Sequence, residues 1–211
     1  VYVFGGAISV PGVSYTNFLM AGIFVQTSIF GSTQTGVSLA EDMGKGLIDR
    51  FRSLPMSRAA VLVGRTVSDA GRNLFVVLLM TLVGYIIGFR FQAGFLSAIG
   101  ALLLAVAFGF AFSWISAAIG LAIRDVESTQ AASFVWVFPL TFASSAFVPI
   151  EGFPSWLETF AEWNPITIAV DATRALILGG ELNPVLWQAI AWVLALLAIF
   201  VPLCVKLYKK V

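Results

Sequence analysis

The sequence predicts an all-α integral membrane protein built as a six-helix transmembrane domain. Five full spans and the tail of the first are expected, with a short cationic helix on the cytoplasmic side and short outer-leaflet helices before the last span. Three observations carry this expectation. Of 211 residues, 59% are hydrophobic and 11% charged, where a soluble domain carries roughly 25% charged residues. Apolar runs of about 20 residues recur, without the period-two alternation of barrel strands. Ten of the twelve Lys and Arg residues fall on alternate loops, the bias that places basic loops inside.

The elements follow in chain order. The apolar run 1–7 reads as the end of a first span. Full spans are expected at about 18–39, 73–89, 95–123, 131–150 and 185–205, the third long enough to tilt. The loop 41–72 holds Lys45, Arg50, Arg52, Arg58, Arg65 and Arg72. Arg124 lies on the next loop of that side, and Lys206, Lys209 and Lys210 form the tail. Only Arg90 and Arg174 lie opposite. The C-terminus is therefore expected in the cytoplasm of a multi-pass protein in the cell (plasma or inner) membrane, and the net acidic loop 151–184 faces outward. Residues 1–211 form one transmembrane domain, with a cytoplasmic helix region at 41–60 and an external re-entrant region at 150–184.

Composition excludes several functions. There is no histidine and a single cysteine, Cys204, so no disulfide forms within the chain. The commonest metal ligand and the commonest proton shuttle at neutral pH are both missing. No metal, cofactor or catalytic residue is expected in this chain, and no nucleic-acid partner. Ion-coupled carriers place ionisable groups inside the membrane; here Asp69 and Arg72 are expected at the cytoplasmic end of the second span. Arg65 and Asp69, four apart, are positioned to pair.

The segment 46–58 is the most distinctive. Leu47, Ile48, Phe51 and Leu54 follow helical spacing, while Arg50, Arg52 and Arg58 ring the other face. Pro55 ends or turns this helix, and Gly44 and Gly46 permit a sharp entry. Two readings fit: a basic loop lying on anionic lipid, or a stiff knob that transmits motion from a soluble motor to the spans.

With these residues in view, the chain resembles a known family. Glu41-Asp42-Met43, then Gly46-Leu47-Ile48-Asp49-Arg50-Phe51-Arg52-Ser53-Leu54-Pro55-Met56-Ser57-Arg58, resembles the cytoplasmic motif of type-2 ATP-binding-cassette permeases, above all the daunorubicin-resistance-type branch. Phe4-Gly5-Gly6-Ala7-Ile8 is similar to the end of that branch's first span. A second block agrees: Ser144-Ser145-Ala146-Phe147-Val148-Pro149, Pro154-Ser155-Trp156-Leu157, Asn164-Pro165-Ile166-Thr167 and Arg174. The resemblance implies a permease that binds no ATP itself, and no G-x-x-x-x-G-K-[ST] loop is present. It implies an ATPase subunit dimer that binds ATP and Mg and grips the coupling helix through Gly46, Asp49, Arg50, Phe51, Arg52, Pro55 and Arg58. It also implies a second permease copy, identical or paralogous, and substrate moving outward, as in multidrug efflux or antibiotic resistance.

On the outer side, Trp156, Leu157, Phe160 and Trp163 recur at helical spacing and suit a membrane interface. Asn164-Pro165 marks a break before a second short helix over 167–178, ended by Gly179-Gly180. These helices either pack as an interfacial lid or form an external gate built on Phe147, Pro149, Trp156, Asn164, Pro165 and Arg174. Asp171 and Arg174 are spaced to pair.

The first full span is unusually polar. Ser28, Ser32 and Thr35 share one face; Thr27, Gln34 and Ser38 lie on another. Such groups hydrogen-bond to neighbouring helices or line a pathway. The fourth span adds Phe134, Trp136, Phe138, Phe142 and a mid-span Pro139, expected to kink it. The candidate pathway is Thr27, Ser28, Gln34, Thr35, Phe138 and Phe142. Taken with the resemblance, the chain reads as an ATP-driven exporter subunit moving hydrophobic or amphipathic molecules, drugs or lipids, by alternating access. Polysaccharide export is the alternative within the family. An ion-coupled carrier or a membrane anchor are the alternatives outside it.

Overall fold

The computed structural model describes residues 13–45, 58–180 and 183–210. These form seven α-helices: α1 (Tyr15–Gly44), α2 (Arg58–Ile87), α3 (Phe95–Ile123), α4 (Val126–Phe142), α5 (Ser155–Trp163), α6 (Pro165–Leu178) and α7 (Asn183–Lys210). A single 3-10 turn, Ile150–Gly152, precedes α5. The described residues contain no strand. The opening run 1–7 and most of the segment 46–58 lie outside the described residues; Arg58 is the first residue of α2.

α1 is the axis of the bundle. It packs against α2, α3, α4 and α6, and it is buried on nearly every side between Asn17 and Ala40. Its partner along most of its length is α3, which runs parallel to it. Small residues let the two backbones approach: a Cβ added at Gly36 would strike the carbonyl of Ser116, and one at Gly120 would strike the carbonyl of Gly36. Gly109 meets Ser28 in the same way, its added Cβ falling 2.8 Å from the serine Cβ. In lipid, apolar side chains gain little by leaving their surroundings for one another. Close packing of small residues therefore supplies much of the helix–helix attraction. Two serines near this seam bond within their own helices: Ser32 Oγ donates to the Ile29 carbonyl at 2.6 Å and Ser113 Oγ to that of Phe110 at 2.7 Å.

Among the described residues, three helices are long and apolar enough to cross a membrane: Leu62–Ile87, Phe95–Ile123 and Pro184–Tyr208. Their outer faces carry exposed apolar side chains, among them Phe75, Leu82 and Ile86 on α2, Leu96 and Leu103 on α3, and Leu194 and Ile199 on α7. Such faces are stable only against hydrocarbon. α1 has 30 residues, but its serines, threonines and glutamines lower its hydropathy. A helix sheltered by four others need not itself be greasy.

The third expected span coincides with α3. The others shift. α1 runs beyond 18–39 to Gly44, and α2 begins at Arg58 rather than near 73, so the connection between them is much shorter than 41–72. The helix extends through Asp69, Arg72 and Asn73 because each has a partner there. Asp69 accepts from Thr35 Oγ1 at 2.6 Å and lies 3.3 Å from Arg72; Asn73 donates to the Ser28 carbonyl at 3.3 Å. The expected Arg65–Asp69 pair does not form. Arg65 reaches Asp42 on α1 at 2.7 Å instead, since Asp69 points into the α1 contact. The fourth span also moves, from 131–150 to Val126–Phe142. Asp125 caps its start by accepting from the Ser128 N–H at 2.8 Å, and hydrogen bonding to Ser128 holds that carboxylate below its ordinary pKa. Pro139 thus falls in the last turns of α4, not at its middle.

Gly36→Leu should lower the unfolding temperature of the purified protein sharply, since overpacking a tight contact costs about 1–3 kcal/mol or more. Gly64→Ala on α2, where an added Cβ meets nothing within 4 Å, should leave it unchanged or raise it through helix propensity, worth up to about 1 kcal/mol. Thermal unfolding in one detergent checks both.

Candidate functional site: an aromatic groove and its polar clasp

At the end of the bundle where α1 begins and α4 finishes, an apolar groove of about 400 Å³ opens between them. Tyr15, Leu19 and Ile23 form one wall, four residues apart and so on one face of α1. Phe142, Ser144, Phe147, Val148 and Phe153 form the other. Phe142 also borders a second groove, of about 440 Å³, with Pro139, Ala143, Trp156, Leu157 and Phe160.

A ladder of phenylalanines leads into the first groove. Phe134, Phe138 and Phe142 lie on one face of α4, with successive ring centroids 5.6 Å apart. Phe30 of α1 meets Phe138 edge to face at 5.5 Å, and Phe142 stacks on Phe147 at 5.7 Å. Phe138 and Phe142 remain exposed on their outer sides. These spacings suit aromatic–aromatic attraction, and a flat apolar molecule could add to the stack.

The segment 143–148 that forms the far wall is held by a polar clasp. Arg174 donates to the Ser145 carbonyl at 2.8 Å and to Asp171 at 2.6 Å. Asp171 also accepts from the Ser145 hydroxyl at 2.7 Å. The guanidinium carbon lies 3.8 Å from the centroid of the Phe18 ring on α1, a cation–π contact. Thr167 Oγ1 accepts from the Ser145 N–H at 3.3 Å. On the α1 side, a Cβ at Gly22 would strike the Ala146 carbonyl, so only glycine permits the wall to sit this close.

Asn164 fastens α5 and α6 to α4. Its Oδ1 accepts from the Ile166 N–H at 2.9 Å, capping α6. Its Nδ2 donates to the carbonyls of Leu140 and Ala143 at 2.7 and 2.8 Å, two acceptors that the end of α4 leaves open. Pro165 takes the first position of α6, where its missing N–H costs nothing. Gly179, with φ 83°, ends that helix. The Ile177 carbonyl then accepts from Gln92 and Ala93 of the α2–α3 turn at 2.9 and 3.2 Å.

Of the expected external set, Phe147, Asn164 and Arg174 are thus tied to one segment, while Trp156 is 72% exposed and borders the second groove beside Ala143. Pro149 leads into the 3-10 turn. The Asp171–Arg174 pair forms as expected. Of the expected pathway set, Phe138 belongs to the ladder and Phe142 to both ladder and grooves, but Thr27, Ser28, Gln34 and Thr35 line neither groove. Thr27 bonds to the carbonyls of Ile23 and Phe24 in its own helix. Ser28 is buried against Gly109, Thr35 is bound to Asp69, and Gln34 contacts Ser38 at 3.4 Å. The sequence reading missed Tyr15, Leu19, Ile23 and Phe30. Their helical spacing was visible, but residues 18–25 are apolar on every side, so no stripe stood out there.

Exposed apolar helices around a sheltered polar axis, with a short-helix cap, define a helical membrane-transport domain. Residues 2–178 match the model of the ABC-2 type transporter family, and the chain belongs to that family. It is 35% identical over 209 residues to a daunorubicin resistance ABC transporter permease protein of Streptomyces coeruleorubidus, covering 99% of this chain and 74% of that protein. A probable doxorubicin resistance ABC transporter permease protein of Mycobacterium tuberculosis is 26% identical over 170 residues, covering 81% and 61%. A putative transport permease of Pyropia yezoensis is 26% identical over 165 residues, covering 77% and 56%.

Asn164→Ala removes both the cap and the two donors to α4 and should destabilise the protein by about 1–3 kcal/mol. Asn164→Asp keeps the cap but sets a buried carboxylate oxygen against the two carbonyls, so its melting temperature at neutral pH should fall at least as far as that of Asn164→Ala.

Proposed function

We propose that the chain is the membrane-spanning subunit of an ATP-driven exporter for hydrophobic or amphipathic molecules, flat aromatic drugs foremost. The observation that carries this is the phenylalanine ladder and apolar groove, in a chain of the ABC-2 transporter family. A wall with almost no polar atoms offers a sugar polymer little to bind, which favours an aromatic or lipid-like cargo over a polysaccharide. Two relatives named for daunorubicin or doxorubicin resistance support the same class.

In this reading the chain binds no nucleotide. A separate ATPase dimer holds ATP and Mg and receives the helix at 46–58, with Gly46, Asp49, Arg50, Phe51, Arg52, Pro55 and Arg58 at the contact. A second permease copy completes a dimer in the cell membrane, and each copy has six spans and a cytoplasmic C-terminus. Closure of the ATPase dimer pushes the coupling helix, and the spans alternate between inward and outward access. The register of the bundle supports such a contact. From Gly36, opposite Gly120, α1 continues to Gly44 while α3 ends at Ile123. At 1.5 Å per residue, α1 projects beyond α3 by about 8 Å.

The test is co-purification of the tagged protein from native membranes with an assay of ATPase activity. Arg50→Glu with Arg52→Glu should strip the ATPase from the complex without lowering the yield of the membrane subunit. An ATPase retained by the double variant would move the contact elsewhere, and no ATPase in any of several detergents would defeat the exporter reading.

A further inference from the structure

The contact between α1 and α2 is divided in two. Towards the groove end it is apolar: the Phe24 and Phe89 rings meet at 5.7 Å, and the Met20 methyl lies over Gly84. Towards the other end it is a run of polar rungs. Asp42 pairs with Arg65 at 2.7 Å. Thr35 donates to Asp69 at 2.6 Å. Arg72 donates to the Gly31 carbonyl at 3.0 Å and lies 3.3 Å from Asp69. Asn73 donates to the Ser28 carbonyl at 3.3 Å.

These rungs follow an antiparallel order over about four turns of α1 and just over two turns of α2. Asp69 stands at their centre, 7% exposed inside a helix otherwise fit to span a membrane. Ionisable groups are expensive there and stay only where they are paired. An apolar contact slides at little cost, whereas separating these rungs takes partners from the buried carboxylate of Asp69 and from the buried side-chain amide of Asn73. The two helices are thus stiffly joined on the side nearest the connecting segment 46–57.

We propose that Asp69, with the rungs around it, is a positioning residue that makes α1 and α2 a single lever. Displacement of the segment 46–57 then moves α1 and α2 together rather than prising them apart. α1 carries no proline, and from Asp42 to Tyr15 it spans about 40 Å. Tyr15, Leu19 and Ile23 at its far end are a wall of the groove, so a push at the connection is delivered to the cargo site. The inference rests on the exporter reading for its biological consequence, but the mechanical coupling is testable alone.

The test uses Thr35→Val, Asp69→Asn, Asp42→Arg, Arg65→Asp and the last two combined, in the full-length protein with its co-purified ATPase. Daunorubicin is the probe. Each single variant should lower drug-stimulated over basal ATPase by about fivefold, with bound ATPase unchanged. The combined Asp42→Arg, Arg65→Asp variant should restore stimulation, which a general loss of stability would not allow. Phe108→Leu, a core change in α3, serves as a control of matched melting temperature and should keep its stimulation. Spin labels at positions 41 and 68, in a Cys204→Ser background, should report one narrow distance that broadens in Thr35→Val and Asp69→Asn. Unchanged stimulation, or stimulation lost equally in Phe108→Leu, would overturn the inference. If the parent protein holds no ATPase, the exporter reading falls, and the spin-label widths alone decide: broadening supports the lever, and no broadening overturns it.

Discussion

The backbone-to-backbone approach of α1 and α3 at Gly36 and Gly120 is the contact on which the rest of the structure depends. Two helices that pack through side chains stand further apart than two that pack through glycine and serine. Here the short separation draws α1 into the middle of the bundle, where α2, α4 and α6 close around it. Enclosure explains why α1 can be polar. Thr27, Ser32 and Thr33 bond to carbonyls of their own helix and Thr35 bonds to Asp69, so these hydrogen bonds are made inside the protein. The lipid-facing work falls to α2, α3 and α7, whose outer faces are correspondingly apolar.

A second consequence appears at the end of α4. That helix has 17 residues, about 25 Å, less than the hydrocarbon thickness of roughly 30 Å. Its last carbonyls would meet a poor hydrogen-bonding environment without Asn164, which reaches back from the start of α6 to fill two of them. The chain between them, 143–148, is folded in against Gly22 and gripped by Arg174 and Asp171. The groove is therefore a by-product of a short helix whose missing length is replaced by a clasped segment. A wall of that kind has few polar atoms facing outward, because its polar groups are spent on the clasp.

Much of this was legible in the sequence. The exact bounds of α3 and the break between α5 and α6 at Asn164-Pro165 followed from apolar run length and turn chemistry. The Asp171–Arg174 pair followed from spacing alone. The start of α2 did not. Asp69 and Arg72 look like loop residues to any hydropathy count, and only their partners Thr35 and Gly31, 34 and 41 residues away, show that they belong in a helix. The Arg65–Asp69 spacing was equally misleading, since a better partner for each lay on α1. The two polar faces of α1 stood out in the sequence, but that Ser28 packs against Gly109 is visible only with the other helix in place. Pairing across helices is information that a single sequence holds only implicitly.

In the proposed reading the parts combine into one line of action, from the cytoplasmic end of α1 and α2, along α1, to an apolar groove edged by phenylalanines. Its central claim is that ATP, and not an ion gradient, moves a flat apolar cargo past that groove. The most direct measurement is uptake of daunorubicin into inside-out vesicles containing the full-length protein and its ATPase. Accumulation that requires ATP and this chain, and that persists when proton and sodium gradients are collapsed, is the predicted result. Accumulation driven by an imposed ion gradient without ATP would contradict the account.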